Sequence, residues 1–299
     1  MKNTKFNRED ILAIAKKHKL GKIKKISYSK SGIVNPCIFL DDKFVLRINV
    51  RDPKIKKFER EQIAFKKLKN EKFCPKKVFL NTNRKIIPYT YIITEKIKGK
   101  EIAKDWKRFS NKKKEKISLQ AGIILARIHK HKMPFFGDLV KGGEKGNFKS
   151  WEEFLLNYIK TKIKEAKQLK VLNKETEEKI FIEYKKVLPY LKKVKTASLL
   201  HDDFTLDNMV YEKNKIKGVF DFEWARAGDS EYELKKLKEF DNKEFYKGYT
   251  SIHKLSKNFK DKIQFYKLIS ALGLLPVAKT HWSQKDVKKL QEEIKSYLK

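Results

Sequence analysis

With 299 residues, 73 of them Lys or Arg against 37 Asp or Glu, the chain carries a formal charge of +36 and can bury the core of one large domain or two modest lobes. Cys37 and Cys74 are far apart, without C-x-x-C spacing or nearby histidines, which excludes a disulfide framework or zinc site and predicts two buried free thiols in a reducing cytosol. The charge invites an anionic partner, but lysines interleave with acids throughout, as in KKKEK and KEAKQLK, so composition bias explains the excess and nucleic acid is disfavoured.

The chain opens without signal-peptide features, and its most apolar stretch, Leu268 to Ala278, is well short of the roughly 20 residues a membrane span needs. A soluble cytoplasmic protein with no membrane partner is expected. Asn7 to His18 reads as a helix capped by Asn7, with Ile11, Leu12, Ile14 and Ala15 on its apolar side. Lys22 to Lys30, Cys37 to Leu40 and Phe44 to Val50 read as strands joined by hairpins. Pro53 opens a helix to about Lys69, and strands follow at Lys77 to Asn81 and Ile86 to Glu95, around the turn Thr82-Asn83-Arg84.

After Gly99 the text becomes helical, at Lys112 to Lys132 and Trp151 to Lys170. The layout predicts an α+β protein with two lobes: a small β-rich lobe over 1–98, ending in a connector, and a large, mainly helical lobe over 99–299. The helical text is interrupted at Leu199 to Glu223, where carboxylates twice follow apolar runs directly: His201-Asp202-Asp203 after Leu199-Leu200, and Asp221-Phe222-Glu223 after Ile216 to Phe220. An acid ending a buried strand needs a partner such as a metal or a base. Magnesium favours hard oxygen donors, which an Asn and an Asp on adjacent short strands supply.

His201-x-Asp203-x-x-x-x-Asn208, followed thirteen residues later by Asp221-Phe222-Glu223, resembles the aminoglycoside phosphotransferase and choline kinase family, which shares the protein-kinase fold. The resemblance implies ATP as co-substrate and Mg2+ as cofactor, with Asp203 taking the proton of the acceptor hydroxyl and Asn208 and Asp221 holding the metal. His201 is expected to pack beneath the loop. The resemblance places a phosphate-covering loop at Ser29-Lys30-Ser31-Gly32, a phosphate-contacting Arg47 on Phe44-Val45-Leu46-Arg47-Ile48, its partner Glu61 on the next helix, and adenine contacts at the backbone of Thr94 and Lys96. Arg47 stands where protein kinases have lysine. Neither G-x-G-x-x-G nor a Walker A sequence is present.

Only a few residues separate Asp221 from the helix expected near Ser230, and no A-P-E sequence follows, so the chain lacks the platform that holds a peptide. A small hydroxylated acceptor is expected, aminoglycoside-like, choline-like or a sugar, approached by Glu223, Trp224 and Arg226. Asp202, where the family usually has glycine, is read as a binder of a cationic substrate or a turn cap. Asp229 and Ser230 are expected to cap the next helix, with Ser230 and Glu233 at capping-box spacing. The alternative is a catalytically weak nucleotide-binding scaffold or pseudokinase that binds RNA through its basic surface; intact Asp203, Asn208 and Asp221 argue against it.

Overall fold

The computed structural model describes residues 6–29, 35–51, 55–140 and 147–298. In chain order the first elements are α1 (Arg8–Lys17), β1 (Ile26–Tyr28), β2 (Cys37–Leu40), β3 (Phe44–Ile48), α2 (Lys57–Lys67), β4 (Val78–Asn81), β5 (Tyr91–Glu95), β6 (Lys100–Glu101) and α3 (Ile102–Asp105). Then come α4 (Asn111–Lys130), β7 (Lys132–Met133), β8 (Phe136–Asp138), β9 (Asn147–Phe148), α5 (Trp151–Gln168), α6 (Lys174–Leu191) and β10 (Ala197–Leu200). The last are β11 (Met209–Glu212), β12 (Lys215–Val219), β13 (Arg226–Gly228), α7 (Lys243–Thr250), α8 (Phe259–His281) and α9 (Gln284–Tyr297).

By packing, the described residues fall into two units, neither of them contiguous. The first lies within Met1–Gln120, Leu139–Gly142 and Thr205–Ala225, the second within Ala121–Asp138, Gly143–Phe204 and Arg226–Lys299.

In the first unit, Asn7 caps α1 as expected: its side chain accepts from the Asp10 amide, and Asp10 accepts from the Asn7 amide in return. An antiparallel sheet in the order β1-β2-β3-β5-β4 follows. Side chains alternate across a strand, so Leu46 and Ile48 of β3 point to one face, where they are fully buried with Ile38, Leu40, Ile93 and the α1 residues Ile11 and Ile14. Arg47, between them, is left for the opposite face. Of the run expected as a strand from Ile86, only Tyr91–Glu95 forms β5; Pro88 has no amide to give a ladder. Helix α2 begins at Lys57, and Pro53 lies outside the described residues.

A second sheet of this unit, in the order β12-β11-β6, is built on the β11–β12 hairpin. Its turn residues Lys213 and Asn214 both have positive φ, 46° and 63°, as a two-residue turn matching strand twist requires. The Val219 amide bonds the Phe73 carbonyl at 2.9 Å, which ties the hairpin to the chain beyond α2.

The second unit is helix-rich but also holds a five-stranded sheet, β7-β10-β13-β8-β9. Helices α5, α6 and α9 pack on α8. Trp151, fully buried, stacks on Phe154 at 5.1 Å and donates from Nε1 to the Tyr266 hydroxyl at 2.9 Å. Pro276 sits inside α8, which contains the apolar stretch, and no described helix is long and apolar enough to cross a membrane. Both cysteines are free, but only Cys74 is buried; Cys37, on β2, is half-buried.

Candidate active site

On the sheet face left to Arg47, four charged side chains converge. Nη1 donates to both carboxylate oxygens of Glu61, at 2.9 and 2.8 Å, and Nη2 bonds Asp221 Oδ1 at 2.9 Å and also Glu223 Oε1. Glu61 occupies the inward side of α2 with the buried Phe58, Ala64 and Phe65, and the Phe58 ring lies 5.4 Å from the guanidinium. Asp221 follows β12 in the left-handed region, φ 67° and ψ 56°, a conformation Asp tolerates better than most residues. The next residue, Phe222, is fully buried and meets Phe65 edge-on at 5.3 Å, which fixes the turn that aims Asp221 and Glu223 at Arg47.

Three carboxylates thus share one guanidinium, with Lys57 Nζ a further 3.9 Å from Glu223 Oε2. Burial together with Asp221 and Glu223 outweighs the attraction of Arg47 and pushes the Glu61 carboxyl up to about 8. Glu223 is raised for the same reasons, burial first. Oxygens of Glu61, Asp221 and Glu223 lie within 4.8 Å of one another, hard donors of the kind magnesium prefers, of which Glu61 and Glu223 are taken up by Arg47 and Asp221 is the most exposed. Asn208, buried after β10, brings its carbonyl to the Phe220 amide at 3.1 Å, so the backbones just before Asp221 and at Asn208 are joined.

In the second unit, β10 delivers His201, Asp202 and Asp203. The amides of His201 and Asp202 donate to Glu233 Oε2 and Oε1, at 2.9 and 2.7 Å, and the Asp203 amide donates to His201 Nδ1 at 3.3 Å. Glu233 Oε2 also meets His129 Nε2 at 2.9 Å, and His129 Nδ1 meets the Tyr249 hydroxyl at 2.8 Å. A buried carboxylate anchored by a histidine therefore holds the backbone that presents Asp203.

The model of the phosphotransferase enzyme family matches residues 28–245. The chain belongs to this family. Its protein-kinase-like fold is shared with a gentamicin complex of APH(2")-IIa, at 20% identity over 97% of this chain and 96% of that one, with a TM-score of 0.70. It is shared too with a ternary complex of a thermostable APH(4)-Ia mutant with AMP-PNP and hygromycin B, at 14% identity over 98% of both chains and a TM-score of 0.70. A third structure with this fold, a putative aminoglycoside phosphotransferase from Ralstonia eutropha JMP134, is 15% identical over 98% of both chains, with a TM-score of 0.69. No curated protein sequence matches the chain.

Of the residues singled out in the sequence of this phosphotransferase, Arg47, Glu61 and Asp221 meet directly. Ser31 and Gly32 lie outside the described residues. Thr94 is within β5, opposite Val45 and Val78. The Lys96 amide is engaged by the Lys43 carbonyl at 2.8 Å, and its side chain pairs with Asp42 over the Phe39 ring.

Several expectations are corrected. Asp202 faces two internal cations, with Oδ2 2.7 Å from Arg226 Nη2 and Oδ1 2.8 Å from Lys235 Nζ, so it does not offer its charge to a ligand. Glu223 and Arg226 are likewise spent on internal pairs, and only Trp224 of that trio is exposed. The Ser230–Glu233 capping box does not form: Asp229 caps the turn by accepting from the Glu231 amide, while Glu233 holds the loop before Asp203. Sequence reasoning missed Glu233 and His129 as a pair, since 104 residues separate them.

Proposed function

We propose that this phosphotransferase moves the γ-phosphate of ATP, with magnesium, onto a hydroxyl of a small molecule. The reading is carried by the convergence of Arg47, Glu61 and Asp221 on hydrogen bonds of 2.8–2.9 Å across 174 residues of sequence. Such a set has an evident use in binding phosphate: Glu61 orients a guanidinium whose planar fork matches phosphate oxygens. Asn208 and Asp221 would hold magnesium, which neutralises phosphate charge when bound.

Asp203 accepts the proton of the acceptor hydroxyl as that oxygen forms its bond to the γ-phosphorus; the bond to the bridging β,γ-oxygen breaks, and ADP leaves with its electron pair. Glu233 and His129 position the backbone on which Asp203 is presented. Ser31 and Gly32 cover the phosphates. Lys96 meets the adenine edge through its carbonyl because its amide is engaged, whereas the backbone of Thr94, expected there too, is laddered inside the sheet between β3 and β4. The nucleotide is assigned to residues 1–98, and the acceptor and catalytic loop to 99–299.

Asp203→Asn is expected to lower kcat by about 10²-fold or more while the affinity for Mg-ATP stays near wild type, as removal of a positioned base does. Steady-state kinetics with calorimetric nucleotide titration reads both quantities; unchanged turnover would remove Asp203 from the role of base.

A further inference from the structure

The two terminal nitrogens of Arg47 have no hydrogen to spare for a phosphate. Each carries two, and the four bonds they make run to both oxygens of Glu61, to Asp221 and to Glu223. A phosphate that takes this fork must therefore displace a carboxylate. Glu61 is the one least able to leave, since its side chain is 1% exposed and both its oxygens rest on Nη1. The bonds of Nη2 are left to yield.

The two carboxylates on Nη2 differ in what release costs them. Asp221 is 36% exposed and is assigned to magnesium, so it has both water and a metal to turn to. Glu223 is 10% exposed, and at that depth a carboxylate that leaves its counter-ion needs a second cation at hand. Lys57 is such a cation. Its side chain is only 4% exposed, and its Nζ lies 3.9 Å from Glu223 Oε2, the oxygen that Arg47 does not hold. Lysine is seldom buried unless it has a charge to meet. Lys57 stands one helical turn before Glu61 on the buried face of α2, so Glu223 has Arg47 in direct contact on one oxygen and Lys57 at the limit of ion pairing on the other.

We propose that Lys57 receives Glu223 when the nucleotide takes Arg47. In the free protein Glu223 occupies on Nη2 the place of a phosphate oxygen; in the nucleotide complex its charge passes to Lys57 and that of Asp221 to the metal, so that no buried carboxylate is left unpaired. Lys57 is thus a positioning residue, which sets nucleotide affinity through Glu223 without touching the nucleotide. The proposal rests on the phosphotransfer reading and deepens it.

The test is a double-variant cycle, read by calorimetric titration of the full chain with magnesium and a non-hydrolysable ATP analogue. Lys57→Gln is expected to weaken binding about tenfold, because the displaced Glu223 then has no cation to receive it. Glu223→Gln is expected to bind the analogue more tightly than the parent, since a neutral amide holds Nη2 less firmly, and adding Lys57→Gln to it should change affinity by less than about twofold. Unchanged affinity in Lys57→Gln overturns the proposal. So does a double variant that loses as much, relative to Glu223→Gln, as Lys57→Gln loses relative to the parent, which would mean that Lys57 meets phosphate directly or merely supports α2. Should Lys57→Gln fail to fold, Glu223→Gln still decides: binding weaker than the parent's defeats the exchange. Failure of the parent to bind the analogue at all defeats instead the phosphotransfer reading beneath it.

Discussion

Arg47 is the residue on which the three carboxylates Glu61, Asp221 and Glu223 converge. Its side chain is 15% exposed and is the nearest cation to three carboxylates, one of which, Glu61, is almost fully buried. Arg47→Met is expected to cost about 3–5 kcal/mol of stability in urea denaturation, because removing one partner leaves buried charge uncompensated. Arg47→Lys keeps the charge but cannot grip Glu61 at two oxygens while reaching Asp221, so an intermediate loss is expected. A methionine variant as stable as the parent would mean that the carboxylates simply take up protons.

Asp202 makes the opposite electrostatic case. Burial would raise its pKa, but Arg226 and then Lys235 outweigh burial and hold it at about 2, below the ordinary value of 3.8. Since the folded pKa is depressed, its contribution to stability is present above about pH 4 and lost as pH falls towards 2; at about 1.4 kcal/mol per unit it amounts to roughly 2 kcal/mol. Acid unfolding of Asp202→Asn should show a correspondingly shallower loss over that interval. An identical acid limb would dissociate Asp202 from it.

At this scale the sequence was informative where chemistry is written in linear spacing. Asp203, Asn208 and Asp221 stand at fixed offsets, and the resemblance those offsets carry implied the Arg47–Glu61 pair, which forms. Glu233 was misread because it lies three residues after a serine, a spacing that suits a helix cap. Its actual partners, the His201 and Asp202 amides and His129, are 31 or more residues away and left no local signal.

Among elements, the first unit was easier to read than the second. Strands β2, β3 and β5 have four or five residues each, enough for alternation or an apolar run to register, and α1 carries its cap in the text. The sheet β7-β10-β13-β8-β9 uses strands of two to four residues, too short for any period, so the region reads as helix with loops. Helix–helix contact supplies a further check. At Gly122 of α4 an added Cβ would lie 2.1 Å from the Phe245 carbonyl oxygen and 2.8 Å from the Tyr249 amide, so α4 and α7 touch backbone to backbone. Glycine to alanine in a helix normally stabilises by roughly 0.5–1 kcal/mol, but Gly122→Ala should instead destabilise by about 1–3 kcal/mol through overpacking. Calorimetric melting decides the sign, and a raised Tm would mean that the two helices readily separate.

For the whole molecule, the lobe boundary expected after Lys98 and the packing units divide the chain differently. The hairpin β11–β12 and the turn bearing Asp221 and Glu223 pack with the amino-terminal strands, because β11 ladders with β6, pairing Tyr211 with Lys100, and Phe222 packs on α2. A linear reading gives one cut and cannot reveal such a return of the chain. A fragment of residues 1–98 should accordingly show broad amide exchange and no cooperative melt, since it lacks both this ladder and two of the three acids that Arg47 pairs with, Asp221 and Glu223. A sharp, cooperative transition for the fragment would contradict that dependence.

The discontinuity also has a bearing on synthesis. The first unit's opening stretch ends at Gln120, but its closing stretch ends at Ala225. At roughly 5–20 residues per second, a ribosome needs about 5–20 s to make the intervening chain. Through that interval the nascent sheet holds a guanidinium and the buried side of α2 ready for partners not yet translated, so completion of the amino-terminal unit is timed by the arrival of the segment that carries Asp221.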